Sequence, residues 1–138
     1  MSATFSLDSR LTADTLAICD LSLSTVRLMN DSRFPWLILV PRRGHASEIT
    51  DLEPADRVRL WDEVAHISRA LADIAKPKKL NVAAIGNIVA QLHVHVVARH
   101  ETDAAWPRPV WGVGIAQPYD RHNAEAFIAE VRAALDAH

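Results

Sequence analysis

From Gln91 to Val96 polar and apolar residues alternate without a break, the two-residue period of a strand whose faces meet different surroundings. A strand is predicted over residues 91–98, with Leu92, Val94 and Val96 turned into a core and Gln91, His93 and His95 forming a row on the opposite face. Residues 21–29 alternate well enough to be a strand, and Asn30-Asp31-Ser32-Arg33 then supplies turn chemistry. The nearly continuous apolar run over residues 34–40, ended by Pro41, reads as a central strand covered on both faces and paired with its predecessor in an antiparallel hairpin. A further strand is expected over residues 79–85, closed by Gly86-Asn87, with the 91–98 strand as its hairpin partner.

Elsewhere the period is helical. Thr50-Asp51-Leu52-Glu53 has the form of a capping box, Pro54 fits a first helical turn, and Lys76-Pro77 stops the helix after Ala75. Val58, Trp61, Val64, Leu71 and Ile74, helped by Leu60 and Ile67, form its broad apolar stripe, with Arg59, Asp62, Glu63, His66, Arg69 and Asp73 on the solvent side. Phe127, Ile128, Val131 and Leu135 repeat at helical spacing over residues 123–137, with Asn123 as N-cap. Residues 8–18 read as a short helix, and residues 103–119, rich in Pro, Gly and aromatics, as ordered but irregular chain. The whole is an α+β domain spanning residues 1–138: an antiparallel sheet of about five strands, a long helix packed on one face and a C-terminal helix.

Composition narrows the setting. With 49% hydrophobic residues in 138, the chain can bury a single core. A formal net charge of -2 gives no footprint for a nucleic acid polymer or an anionic membrane. One cysteine, Cys19, excludes an internal disulfide; it sits in an apolar run and reads as a small buried hydrophobe. The start lacks a signal-peptide pattern, and no apolar run is long enough to span a bilayer, so a cytoplasmic location is expected.

The row of Gln91, His93 and His95 carries the candidate chemistry. Side chains two apart on a strand lie about 6–7 Å from one another, so two imidazoles can reach one phosphate-sized anion or one metal ion. The residues alone leave three readings open: a solvated strand face, a His-x-His metal clip, and nucleophilic catalysis by one imidazole assisted by its neighbour. A zinc site needs further protein ligands, and no Cys or His pair stands near to supply them, so no metal is expected.

The residues Gly86-Asn87-Ile88-Val89-Ala90-Gln91-Leu92-His93-Val94-His95-Val96-Val97-Ala98-Arg99 resemble the signature of the histidine triad superfamily of nucleotide hydrolases and transferases. The resemblance extends through Asn30-Asp31 and Phe34-Pro35-Trp36-Leu37-Ile38-Leu39-Val40-Pro41-Arg42 to Trp106-Pro107-Arg108-Pro109-Val110-Trp111-Gly112. It departs at the first position of the triad, where Gln91 replaces histidine. It implies a homodimer that binds a small-molecule nucleotide, needs no cofactor, and cleaves a phosphoanhydride or phosphoramidate through a nucleotidyl-histidine. His93 would be the nucleophile and His95 a contact to the phosphate or leaving group. Gln91 would hydrogen-bond the phosphate, and a protein that binds nucleotide without turnover is the competing expectation.

By the same resemblance Asn30 or Asp31 would meet the ribose hydroxyls, and Asn87 the phosphate. His45 would lie near the site, and Trp36, with Phe34 and Ile38, would line a base pocket. Each has a plainer reading, as turn, loop or core residue. Arg42 and Arg99 would attract phosphate or stand idle at the surface. The Trp106–Trp111 stretch, two large aromatics held by prolines, suits a dimer contact, a cover over a ligand, or packing under the C-terminal helix.

Overall fold

The computed structural model describes residues 4–137. The chain enters through α1 (Ser9–Asp14), capped by the Asp8 side chain, and runs directly into β1 (Thr15–Asp20). There follow β2 (Ser24–Met29), β3 (Trp36–Pro41), α2 (Pro54–Ala75), β4 (Lys79–Ala83), β5 (Val94–Arg99) and α3 (Arg121–Asp136). The strands form one sheet in the order β1-β2-β3-β5-β4, each neighbouring pair antiparallel. The α+β arrangement is the expected one.

Several boundaries differ from those read in the sequence. Residues 8–18 divide between α1 and an edge strand instead of making one helix. The register between β1 and β2 shifts between Ala17 and Cys19, a bulge that interrupts the alternation by which β1 would have been visible. Cys19 is half-buried against the core, not enclosed by it. The β5 ladder begins at Val94, so Gln91 and His93 precede it in a bent connection, although the faces still alternate. α2 begins at Pro54, but Glu53 gives no side-chain cap; the reciprocal cap lies earlier, where Asp51 accepts from the Glu48 amide at 2.9 Å. α2 ends on Lys76 in the left-handed region. Asp120, not Asn123, caps α3, its carboxylate accepting from the Asn123 amide at 2.8 Å.

The buried stripe of α2 runs through Leu60, Val64, Ile67 and Leu71. That stripe turns Val58 and Trp61 outward, 65% and 48% exposed. It also brings Glu63 inward against the turn between β1 and β2, where the Leu23 and Ser24 amides donate to its carboxylate at 2.8 and 2.9 Å. A buried carboxylate is tolerated there because backbone donors satisfy it.

Both faces of the sheet are covered. One carries Leu39, Val94, Val96 and Ala98 against α2 and α3. The other carries Phe34, Trp36, Ile38, Val40 and Val97, covered by Leu11 of α1 and by Ala105 and Val110 of the irregular chain. The Trp106–Trp111 stretch therefore packs on the face away from the C-terminal helix. Arg99, 2% exposed, anchors that cover. It donates to Asp103 at 2.8 and 3.0 Å and to Asn81 Oδ1 at 2.9 Å, so it is a structural ion pair and not a surface phosphate contact. Asp103 in turn accepts from the amides of His100, Ala105 and Trp106, and these bonds hold its carboxyl well below the usual range despite burial. Further along, the chain is tied to the turn after β2: Ser32 N–H donates to Gln117 O at 2.7 Å and Arg33 Nη1 to Val113 O at 2.8 Å.

Candidate active site

His95 lies on β5 opposite Ile38 of β3, and His93 immediately precedes the ladder, their ring centroids 4.9 Å apart. The two imidazoles are held in different ways. Trp36 Nε1–H donates to His95 Nδ1 at 3.0 Å. An indole N–H only donates, so Nδ1 of His95 carries a lone pair and the neutral ring bears its proton on Nε2. Burial, with a smaller contribution from His93, pushes the His95 pKa down to about 3, so the ring stays neutral. Trp36 and Trp111 enclose it, with centroids 5.7 and 5.2 Å from that of His95.

His93 Nδ1 lies 2.6 Å from the carbonyl oxygen of Gln91. A carbonyl only accepts, so Nδ1 donates and the neutral ring keeps a lone pair on Nε2. The pair thus presents two unlike nitrogens: a lone pair on one ring and an N–H on the other.

Both histidines line a cavity of about 600 Å³, mostly apolar, of a size that takes a small organic ligand. Its wall includes Leu11, Asp14, Trp36, Asn87, Val89 and Trp111. Asp31 borders it too, but its carboxylate is occupied, receiving Arg33 Nε and Nη2 at 3.0 and 2.8 Å and the Gln117 amide at 3.3 Å. Burial alone would raise the Asp31 pKa; the Arg33 and Gln117 hydrogen bonds bring it below the ordinary value. Asn30 accepts from the Tyr119 amide at 2.9 Å and does not border the cavity. His45 is exposed, its Nε2 3.0 Å from Asp51 O, and it too is apart from the cavity.

Gln91 is also outside this wall. It borders a smaller cleft of about 360 Å³ that His93 also lines, with Ser47 and Thr50. Its side chain is engaged with the N-terminal segment: Asp8 N–H donates to Oε1 at 2.9 Å and Nε2 donates to Ser6 O at 2.8 Å. Of the expected site residues, the fold brings together His93, His95, Trp36, Asn87 and Asp31, and sets Asn30, His45 and Gln91 apart. Leu11 and Asp14 were not anticipated, and no motif marks them; Val89 lies within the signature stretch but was given no role there. Trp111 was marked by the unusual composition of its stretch; its Nε1 is buried without a partner among the described residues. Among the described residues no three His, Cys, Asp or Glu side chains gather as a metal-ligand group. No helix among the described residues is long and apolar enough to cross a membrane.

A histidine pair at the start of a central strand, over an apolar cavity, on a five-stranded antiparallel sheet backed by a long helix, defines a class. The model of the HIT domain matches residues 10–102, and the chain belongs to the histidine triad family. It is similar to a histidine triad protein of Bradyrhizobium japonicum, with 49% identity over 96% of this chain and 99% of that one and a TM-score of 0.94. A histidine triad protein of Sinorhizobium meliloti shares 45% identity over 95% and 97% of the two chains, with a TM-score of 0.93. A third, from Marinobacter aquaeolei, shares 38% identity over 98% of each chain, with a TM-score of 0.94. No curated protein matches the chain. Family membership makes a nucleotide-binding hydrolase or transferase the general class of activity.

Proposed function

We propose that the protein cleaves a nucleoside phosphoanhydride or phosphoramidate through a covalent nucleotidyl intermediate on His93. The observation that carries this reading is the His93 Nδ1–H bond to the Gln91 carbonyl, which leaves Nε2 as the nucleophilic atom. The Nε2 lone pair forms a bond to the α-phosphorus, and the bond to the leaving oxygen or nitrogen breaks with its electron pair. The leaving group takes its proton from water. The charge gained by the imidazole is met at Nδ1–H by the carbonyl. His95, neutral and with N–H on Nε2, donates a hydrogen bond to a phosphoryl oxygen without competing as a base. Water then attacks phosphorus, the P–N bond breaks, and the proton of that water leaves to solvent. Trp36, Val89 and Leu11 give the nucleoside an apolar seat. Asn87 and Asp14 stand on the same wall as polar contacts, in place of the engaged Asp31. The working form is a homodimer.

The test is rapid quenching with adenosine phosphoramidate labelled at phosphorus, followed by mapping of acid-labile label. Label on His93 is expected. Turnover with label elsewhere overturns the mechanism, and tight adenosine monophosphate binding with neither label nor turnover makes the protein a silent nucleotide-binding module.

A further inference from the structure

The position at which this chain leaves the triad pattern is occupied by a side chain with an assignment of its own. Gln91 bonds Ser6 O and Asp8 N–H, the two groups that flank Leu7 on one edge of extended backbone. A strand residue in a parallel ladder makes the same pair of bonds with its own N–H and C=O. The Gln91 amide, with donor and acceptor side by side at one end of the side chain, therefore stands in for the N–H and C=O of one strand residue. An imidazole carries its two nitrogens on diverging directions and cannot address both groups of one backbone edge. Leu7 and Phe5, beside the clamp, pack against the core cluster that contains Trp36. α1 begins one residue after Asp8, and its Leu11 and Asp14 form part of the cavity wall. The same residue holds the nucleophile, since its carbonyl accepts from His93 Nδ1.

We infer that Gln91 is a positioning residue that clamps the N-terminal segment 4–8 beside the nucleophile, making that segment and α1 a built part of the substrate cavity. The inference rests on the reading of the cavity as the nucleotide site. It replaces the expectation that Gln91 contacts the phosphate. The substitution of glutamine for histidine then exchanges a titrating group for a bracket.

The test separates clamp from phosphate contact. In Gln91→Leu, KM for adenosine phosphoramidate should rise about tenfold while kcat stays within about twofold, because wall and not chemistry is disturbed. Hydrogen exchange at the Asp8 amide, protected in the natural protein, should accelerate at least about tenfold. Gln91→Glu supplies the decisive readout. As a carboxylate it cannot donate to Ser6 O, but as a protonated carboxyl it offers one C=O and one O–H, the pairing of the amide. Its KM and its Asp8 protection should therefore return toward the natural values as pH falls from about 8 to about 5, a recovery that Gln91→Leu should not show. A fall in kcat with KM and Asp8 protection unchanged would overturn the inference, as would full Asp8 protection in Gln91→Leu. If the natural protein fails to turn over the probe, the functional reading fails and the Asp8 amide alone decides the clamp.

Discussion

The sheet face turned to α2 and α3 is closed chiefly by aliphatic side chains, among them Leu39, Leu60, Ile67, Leu71 and Val96, with Glu63 and Ser24 as its buried polar groups at the β1–β2 turn. The face that carries His95 is closed by aromatic rings, the Arg99–Asp103 ion pair and two stretches of irregular chain. Aliphatic contacts are non-directional and fix a volume. Polar groups in a buried setting must each find a partner at the right distance and angle, so they fix orientation as well. The comparison teaches a division of labour: the first face holds the protein together, and the second spends part of its stability on the tautomer and direction of two imidazoles.

The largest effect expected is on the second face. His93→Ala should reduce turnover at least a thousandfold, about 4 kcal/mol of transition-state stabilisation, with folding and nucleotide binding kept. Near-normal turnover in a folded variant would remove His93 from the chemistry. A pair of substitutions next separates the faces. Leu71→Ala should lower unfolding free energy by about 3 kcal/mol, the range for a buried leucine, with kcat/KM per folded molecule unchanged. Arg99→Ala should cost about 3 kcal/mol or more, because it leaves Asp103 buried and uncompensated. It should also lower kcat/KM, since Asp103 gathers the start of the chain that leads to Trp111. Equal effects on activity from both variants, measured by denaturant titration and steady-state kinetics, would erase the distinction.

How far the sequence revealed this depends on whether a residue's partner is near or far along the chain. The α2 span, the apolar β3 run and the face alternation of residues 91–98 were legible because local period reports burial directly. β1 was hidden by its bulge, and Glu63 by a demand that arises on another element, the β1–β2 turn. The histidine pair was legible by motif. The clamp was not: Gln91 meets groups 83 and 85 positions away, and nothing local announces them. Asp31 likewise reads as a turn carboxylate free for a ligand until Arg33 and Gln117 are seen on it.

The two faces should also part company in acid. His95 has its folded pKa pushed from 6.5 down to about 3, so the unfolded chain takes up a proton that the folded site refuses. The stabilisation is complete above the unfolded value and is lost progressively as pH falls from about 6.5 toward about 3. Between pH 7 and 5 the loss should be about 2 kcal/mol, before the carboxylates Asp31 and Asp103 begin to contribute at lower pH. His95→Gln keeps an acceptor for the Trp36 N–H and removes the titration, so its stability should be flatter over that interval. An identical slope in the two proteins, by denaturant titration at each pH, would assign the acid sensitivity elsewhere.

The smallest expected effect probes the comparison most finely. Trp36 contributes both kinds of closure at once: its ring fills the second core, and its N–H fixes the His95 tautomer. Trp36→Phe retains an aromatic ring and removes the donor. The lost hydrogen bond should cost about 1 kcal/mol of stability, modest because His95 and Trp36 both border a cavity from which water can replace the indole. With the donor gone, neither ring nitrogen of His95 is barred from carrying the proton. Nitrogen-detected NMR of labelled imidazoles should show the Nε2–H form alone in the natural protein and a mixture in Trp36→Phe. Turnover should fall in proportion to the population that has lost Nε2–H, a few-fold and not a thousandfold. If the variant keeps a single tautomer and full turnover, the indole is a filler, and the second face orients its histidines by shape alone.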